Sequence, residues 1–235
     1  MKNDKERLMG MLRENKITLD DYNTLLIAMK KKSFFSRMES SLFLNPFQKI
    51  AGFKALIFGI IILLTMSYMG VLAKLYFLGP LTTINASAVV KQSMDIGFLL
   101  LAYQNIICLL ILTTLFFIAA KMLQNKKLRI IDFLGTLSLA RFPLLLFTVI
   151  VNFARMINPT ILDIDMSKGI PLHSSMGLKI LGVIGTVLIV WQIILYFYAM
   201  KESSGLVGKK LWLGFILPLI AGELIAFPLT TWFMN

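Results

Sequence analysis

Five apolar stretches organise this chain, and a charged segment precedes the first. They run over about Ala55–Phe77, Ile96–Ala120, Ile131–Phe153, Leu178–Met200 and Leu211–Phe233. A helix rises ~1.5 Å per residue, so about 20 apolar residues cross the ~30 Å hydrocarbon core of a bilayer. Hydrocarbon offers the backbone no hydrogen-bond partner, so segments of this kind are expected to be helices. The fold class read from the pattern is all-α: a polytopic membrane protein of five transmembrane helices, residues 55–235, with a small cytoplasmic appendage.

The appendage carries its own pattern. Residues 4–31 read as two short helices joined by a tight turn. Leu8, Met11 and Leu12 share one face of the first, and Tyr22, Leu25, Leu26 and Met29 share one face of the second. Asn15 suits a left-handed C-cap, and Ile17 closes the small core. Thr18 suits an N-cap, with Asp21 three positions on as in a capping box. Residues 1–32 are therefore expected to form a helical hairpin. Residues 33–54 form a linker in which Phe34, Phe35, Met38, Leu42 and Leu44 are interleaved with Arg37, Glu39 and serines. This is either an amphipathic helix on the inner leaflet or an irregular connection, broken at Asn45-Pro46.

Composition supports the class: 57% of the 235 residues are hydrophobic and the mean hydropathy is +0.79. The net charge of +12 would suit a nucleic-acid binder, but the basic residues sit where topology places them. Lys30, Lys31, Lys32, Arg37, Lys49 and Lys54 precede the first span. Lys121, Lys126, Lys127 and Arg129 join spans two and three, and Lys201, Lys209 and Lys210 join spans four and five. The opposite loops are poorer, with Lys91 in one and Arg155, Lys168 and Lys179, partly offset by Asp163 and Asp165, in the other. The positive-inside rule then places the N-terminus in the cytoplasm and, after five crossings, the C-terminus outside. The expected location is a cell membrane, a bacterial cytoplasmic membrane above all. The expected partners are membrane lipids, which the basic loops attract, and not nucleic acid. The opening Met-Lys-Asn-Asp-Lys-Glu-Arg has no apolar run behind it, unlike a cleaved signal peptide.

Candidate chemistry is sparse. Cys108 is the single cysteine and lies within the second span, so it reads as a packing residue. Asn85-Ala86-Ser87 is a formal glycosylation acceptor in the first external loop, residues 78–95. His173 near Asp163 and Asp165 in the second is too few ligands for a metal site. No phosphate loop, zinc-helix motif or nucleophile elbow occurs, so no catalytic, cofactor or metal residue is assigned.

Polar residues within the spans remain, and buried ionisable groups call for partners. Arg141 and Glu223 both fall near the midplane by counting. They are expected to pair, with Gln104, Asn105 or Gln192 completing a polar network. Pro143 frees a carbonyl one turn earlier as a further acceptor. The network is either a solute or proton pathway or a structural pair that fixes helix register. Asp132 and Asn152 lie near span ends and are expected to be solvated. Trp191 reads as packing, Trp212 and Trp232 as an aromatic belt, and Pro218 and Pro228 as kinks in the fifth span.

Two resemblances follow from these residues. The hairpin pattern Leu-x-x-x-Leu, Asn15-Lys16-Ile17-Thr18, Asp20-Asp21-Tyr22, Leu25-Leu26 resembles SHOCT-type modules, which implies oligomerisation or docking of a protein partner through residues 1–32. The layout of Asn45-Pro46-Phe47-Gln48-Lys49-Ile50, five close spans, and Ile131-Asp132-Phe133-Leu134-Gly135-Thr136 through Leu139-Ala140-Arg141-Phe142-Pro143 resembles bacterial members of the Yip1 superfamily. The Asp-Leu-Tyr-Gly-Pro motif of eukaryotic members is missing before the first span, and Leu78-Gly79-Pro80-Leu81 echoes it only after that span. The resemblance implies a non-enzymatic scaffold or regulator of other membrane proteins and no catalytic residues. A small transporter or permease component using Arg141 and Glu223 is the alternative, and an intramembrane enzyme is a third and poorer one.

Overall fold

A computed structural model describes residues 2–14, 16–22, 41, 43–85, 97–124, 127–159, 161 and 176–232. The chain divides into two compact units, Met1–Asn45 and Pro46–Asn235.

In the first unit, α1 spans Lys2–Arg13, and residues 19–22 begin a second helical stretch. The capping box forms. The Asp21 amide donates to Thr18 Oγ1 at 3.1 Å, and the Thr18 amide and hydroxyl donate to Asp21 Oδ2 at 3.2 and 2.6 Å. These bonds hold the Asp21 carboxyl below the usual carboxylate range. Met11, expected on a buried face, is exposed. Asn15, Leu25, Leu26, Met29 and most of the amphipathic linker, residues 33–40 and 42, lie outside the described residues.

The second unit begins with a single 3-10 turn, Pro46–Gln48, whose Phe47 is buried in the core. Five spans follow, each long and apolar enough to cross a membrane. The first is α2, Gly52–Ala73, and the second is α3, Phe98–Leu123. The third is two half-helices, α4 (Ile130–Leu139) and α5 (Phe142–Ile157). The fourth is α6, Met176–Ser204, and the fifth is α7, Gly208–Thr231. The chain is thus a multi-pass, all-α membrane protein. Pro218 and Pro228 sit inside α7 without ending it.

Three boundaries differ from the hydrophobic pattern. The first span ends at Ala73 rather than Phe77, because Lys74 takes a left-handed conformation (φ 51°) and caps α2 with its amide on Gly70 and Val71. The third span is not continuous. Ala140 and Arg141 form a non-helical step, and Pro143 stands at the start of α5, where its missing donor costs nothing. The segment after the first span, expected as an external loop, is not a loop over its first part. Residues 75–77 (β1) and 83–85 (β2) pair antiparallel as a hairpin, with Tyr76 opposite Ile84.

α4 packs against α2 more extensively than any other pair of elements, and α7 packs mainly on α3. Apolar side chains gain little by leaving lipid for protein, so close backbone approach is what holds such helices together. Glycines supply it between α2 and α4. A Cβ on Gly59 would lie 1.8 Å from Ser138 Oγ, and one on Gly135 would lie 2.6 Å from the Gly52 carbonyl. At the end of this pair, Asp132 is not simply solvated: it is half-buried, 3.6 Å from Arg129 Nε, and its carbonyl accepts from Thr136 Oγ1 and Ser203 Oγ.

Candidate functional site

The hairpin returns into the bundle. Phe77 packs where a Cβ on Gly70 would stand, one turn back along α2, and Pro80 reaches Gly222 of α7. Residues 75–80 are all buried. Non-helical backbone is tolerated at membrane depth only inside protein and only with its polar groups bonded. Following those groups accounts for Gln104, Arg141, Gln192, Tyr196, Glu223 and Thr230.

On β1, the Phe77 amide donates to Gln104 Oε1 at 3.1 Å, and Cys108 Sγ approaches the Phe77 carbonyl at 4.0 Å. The Leu78 carbonyl accepts from Thr230 Oγ1 at 2.8 Å, and the Leu78 and Gly79 amides turn back onto the Thr82 carbonyl. Pro80, which has no amide hydrogen, offers a carbonyl that accepts from Gln192 Nε2 at 3.0 Å and Tyr196 Oη at 3.2 Å. Beyond the turn, Glu223 takes the Leu81 amide on one carboxylate oxygen and the Thr82 hydroxyl (2.8 Å) on the other. Arg141 also reaches the tip: Nη2 lies 3.5 Å from the Gly79 carbonyl, while Nη1 donates to the Asn105 carbonyl at 2.8 Å.

All five residues singled out from the sequence are therefore brought together, but by different contacts. Arg141 and Glu223 form no direct ion pair; each contacts the Gly79–Thr82 turn instead. Gln104 and Gln192 hold hairpin backbone. Asn105 acts through its carbonyl toward Arg141, and its Nδ2 donates to Ser67 Oγ on α2 at 2.8 Å. Along their helices these residues are staggered: Ser67 stands six residues from the end of α2, Gln104 six from the start of α3 and Glu223 eight from the end of α7, while Gln192 lies near the middle of α6.

Arg141 is fully buried and is the largest such side chain among those described. The step between α4 and α5 delivers it there. Its amide bonds the Ser138 carbonyl, and its own carbonyl accepts from Leu144 and Leu145, so the backbone stays satisfied across the break. The guanidinium is not satisfied. Nε has no partner, the bond to Gly79 is at the outer limit of a hydrogen bond, and the neighbouring Asn105 Oδ1 is likewise bare. Beside this cluster Thr83, Leu144, Phe147, Gly185 and Gln192 border a cavity of about 40 Å³, room for roughly one water molecule.

Other expectations sort around this site. Asn152 is not left to interfacial water: Nδ2 donates to the Met69 carbonyl of α2 and to Thr148, each at 2.8 Å. Arg155, counted as a loop charge, donates to the Ala73 carbonyl at 3.0 Å, where a cation suits a helix C-terminus. Trp191 packs edge-on against Phe142, with ring centroids 6.0 Å apart, and Trp212 and Trp232 are exposed at the two ends of α7. Among the described residues no three His, Cys, Asp or Glu converge as a metal site requires. His173, Asp163, Asp165, Ala86 and Ser87 lie outside them.

Sequence reasoning missed Thr230, Tyr196, Thr82, Gly79 and the hairpin itself. The signal was present: Leu75-Tyr76-Phe77 and Thr83-Ile84-Asn85 flank a Gly-Pro turn, a strand–turn–strand pattern hidden by its continuity with an apolar span. No protein-family model, curated protein or solved structure matches this chain.

Proposed function

We propose that this is a non-enzymatic integral membrane protein of Yip1 type that organises or regulates other membrane proteins. It would stand in a bacterial cytoplasmic membrane with its N-terminus inside and its C-terminus outside, and residues 1–32, a SHOCT-like module, would dock the partner or a second copy. One observation carries the reading. Six polar side chains of the spans are engaged in holding a backbone hairpin, which is structural work of the kind that fixes one arrangement of helices. In-cell crosslinking followed by affinity purification, with and without residues 1–32, tests it. A specific membrane-protein partner recovered only with those residues present supports an organiser. Recovery of the protein alone in both cases overturns it.

A permease component is the second reading, favoured by the broken third span and by the spare donors of Arg141. Broken helices line the substrate sites of many transporters. Solute flux lost on substituting Arg141 or Glu223, with the protein still inserted, would decide for it.

A further inference from the structure

The hairpin tip is bound as a ligand would be. Its carbonyls meet donors on four helices: Arg141 at the head of α5, Gln192 and Tyr196 on α6, Thr230 on α7, and the Cys108 thiol on α3. Its amides at Leu81 and Phe77 meet acceptors, Glu223 and Gln104. We propose that this cradle is a binding site for a small solute with a carboxylate or amide oxygen for Arg141 and an amine or amide N–H for Glu223. The Leu78–Thr82 tip occupies it in the present state. This goes beyond the organiser reading and does not depend on it.

Three observations support a removable occupant over a permanent one. First, the tip does not satisfy Arg141. A guanidinium presents five donors in a planar fork that fits a carboxylate with two parallel bonds. Here the fork has one bond of ordinary length, one at 3.5 Å, and an Nε with no partner. A single carbonyl cannot use that capacity and a carboxylate can. Second, both charges bind the same short turn of backbone, Arg141 at the Gly79 carbonyl and Glu223 at Leu81 and Thr82, so one small molecule carrying both an amine and a carboxylate would meet both. Third, each strand of the hairpin is only three residues long, and the hairpin joins α2 at Lys74, a non-glycine residue at φ 51°. A two-stranded ribbon this short has little stability of its own. Its seat rests on the burial of Leu75–Leu78 and on the bonds of the tip, and a ligand of the same chemistry competes for the bonds to Arg141 and Glu223.

The chain contains its own reporter. Cys108 is fully buried with its thiol against the Phe77 carbonyl of β1, so a thiol reagent reaches it only when the packing around it opens, and lifting β1 is one such opening. The experiment measures alkylation of Cys108 by N-ethylmaleimide in the full-length protein in lipid vesicles, against denaturant, with and without millimolar glycylglycine. The expected result has two parts. Alkylation proceeds through an opening far less sensitive to denaturant than global unfolding, and glycylglycine accelerates it saturably, by about tenfold where the open state is a minor one. Arg141→Gln should abolish the acceleration. Gly79→Ala should raise alkylation without the dipeptide, because its Cβ would lie within 2.1 Å of Glu223 Oε2 and wedge the latch open. Alkylation that tracks global unfolding under every condition would overturn the proposal and make the hairpin a fixed part of the fold. Local opening with no saturable response to glycylglycine would overturn the ligand class.

Discussion

The third and fifth spans carry similar sequence features and fold differently. Each has a charged residue inside an apolar run, and each has proline nearby: Arg141 with Pro143, Glu223 with Pro218 and Pro228. Yet the third is broken at its charge, while the fifth runs unbroken from Gly208 to Thr231. The difference goes with position in the bundle. In its most apolar stretch, 56% of the third span is buried in protein, against 28–33% for the other four. A break surrounded by protein finds partners for its freed backbone groups, and one facing lipid does not. The fifth span remains helical at its prolines and bonds the hairpin through the Glu223 and Thr230 side chains. Proline thus permits a break without dictating one: Pro218 is buried, as Pro143 is, yet its helix runs on.

The sharpest way to test that contrast is to remove the two charges in turn. Arg141→Met leaves the Gly79 and Asn105 carbonyls without this donor in a dry interior and is expected to cost about 3 kcal/mol of stability. Glu223→Leu frees one amide and one hydroxyl at a half-buried site and is expected to cost about half as much. Steric trapping or denaturant unfolding in mixed micelles measures both, and equal losses would erase the distinction between a central and a peripheral span.

Packing gives the next largest effect. Gly59→Ala drives a Cβ into Ser138 of the third span and is expected to cost about 1–3 kcal/mol, part of which Ser138→Gly should restore. Gly222→Ala in the fifth span meets only Leu112 Cδ1 at 3.1 Å, the end of a flexible side chain, and should be nearly silent.

The cause of the break is open to a finer test. If the anchorage of Arg141 rather than the proline turns the chain, Pro143→Ala leaves the step in place. Amide exchange at residues 140–142 then stays faster than in the half-helices on either side. Protection rising there to the level of α5 would assign the break to proline alone.

The smallest effect lies in the first unit. Asp21 is held below its ordinary value by Thr18, so its share of helix stability is fully present above the unfolded carboxylate value, near 4. That share fades as pH falls through the lower, folded value. Amide protection factors at residues 18–22, corrected for intrinsic exchange, should therefore fall on acidification, and Asp21→Asn should flatten that dependence.

Much of this was legible along the chain. The five spans, the capping box at Thr18 and Asp21, and the five polar residues that gather in one place follow from hydrophobic length, cap chemistry and the cost of burying polarity. Each of these is a local quantity, summed over neighbours in sequence. The site was legible as a set of residues but not as a geometry. Counting along the spans put Arg141 and Glu223 at one depth and suggested that opposite charges would meet. It could not show that each would contact the Gly79–Thr82 turn instead, because Leu75-Tyr76-Phe77 is as apolar as the helix before it.

What the sequence determined by itself is the class: helices, their number, and the presence of buried polarity in need of partners. Only the tertiary structure decided what those partners are. Hydrocarbon fixes that each polar group must be bonded without fixing to what, and the choice depends on which backbones approach closely enough. Gly59, Gly135 and Gly70 allow that approach, and the left-handed turn at Lys74 sends the hairpin back into the bundle. Both are contacts between residues far apart in the chain, or between a helix end and the protein around it, and no local pattern encodes them.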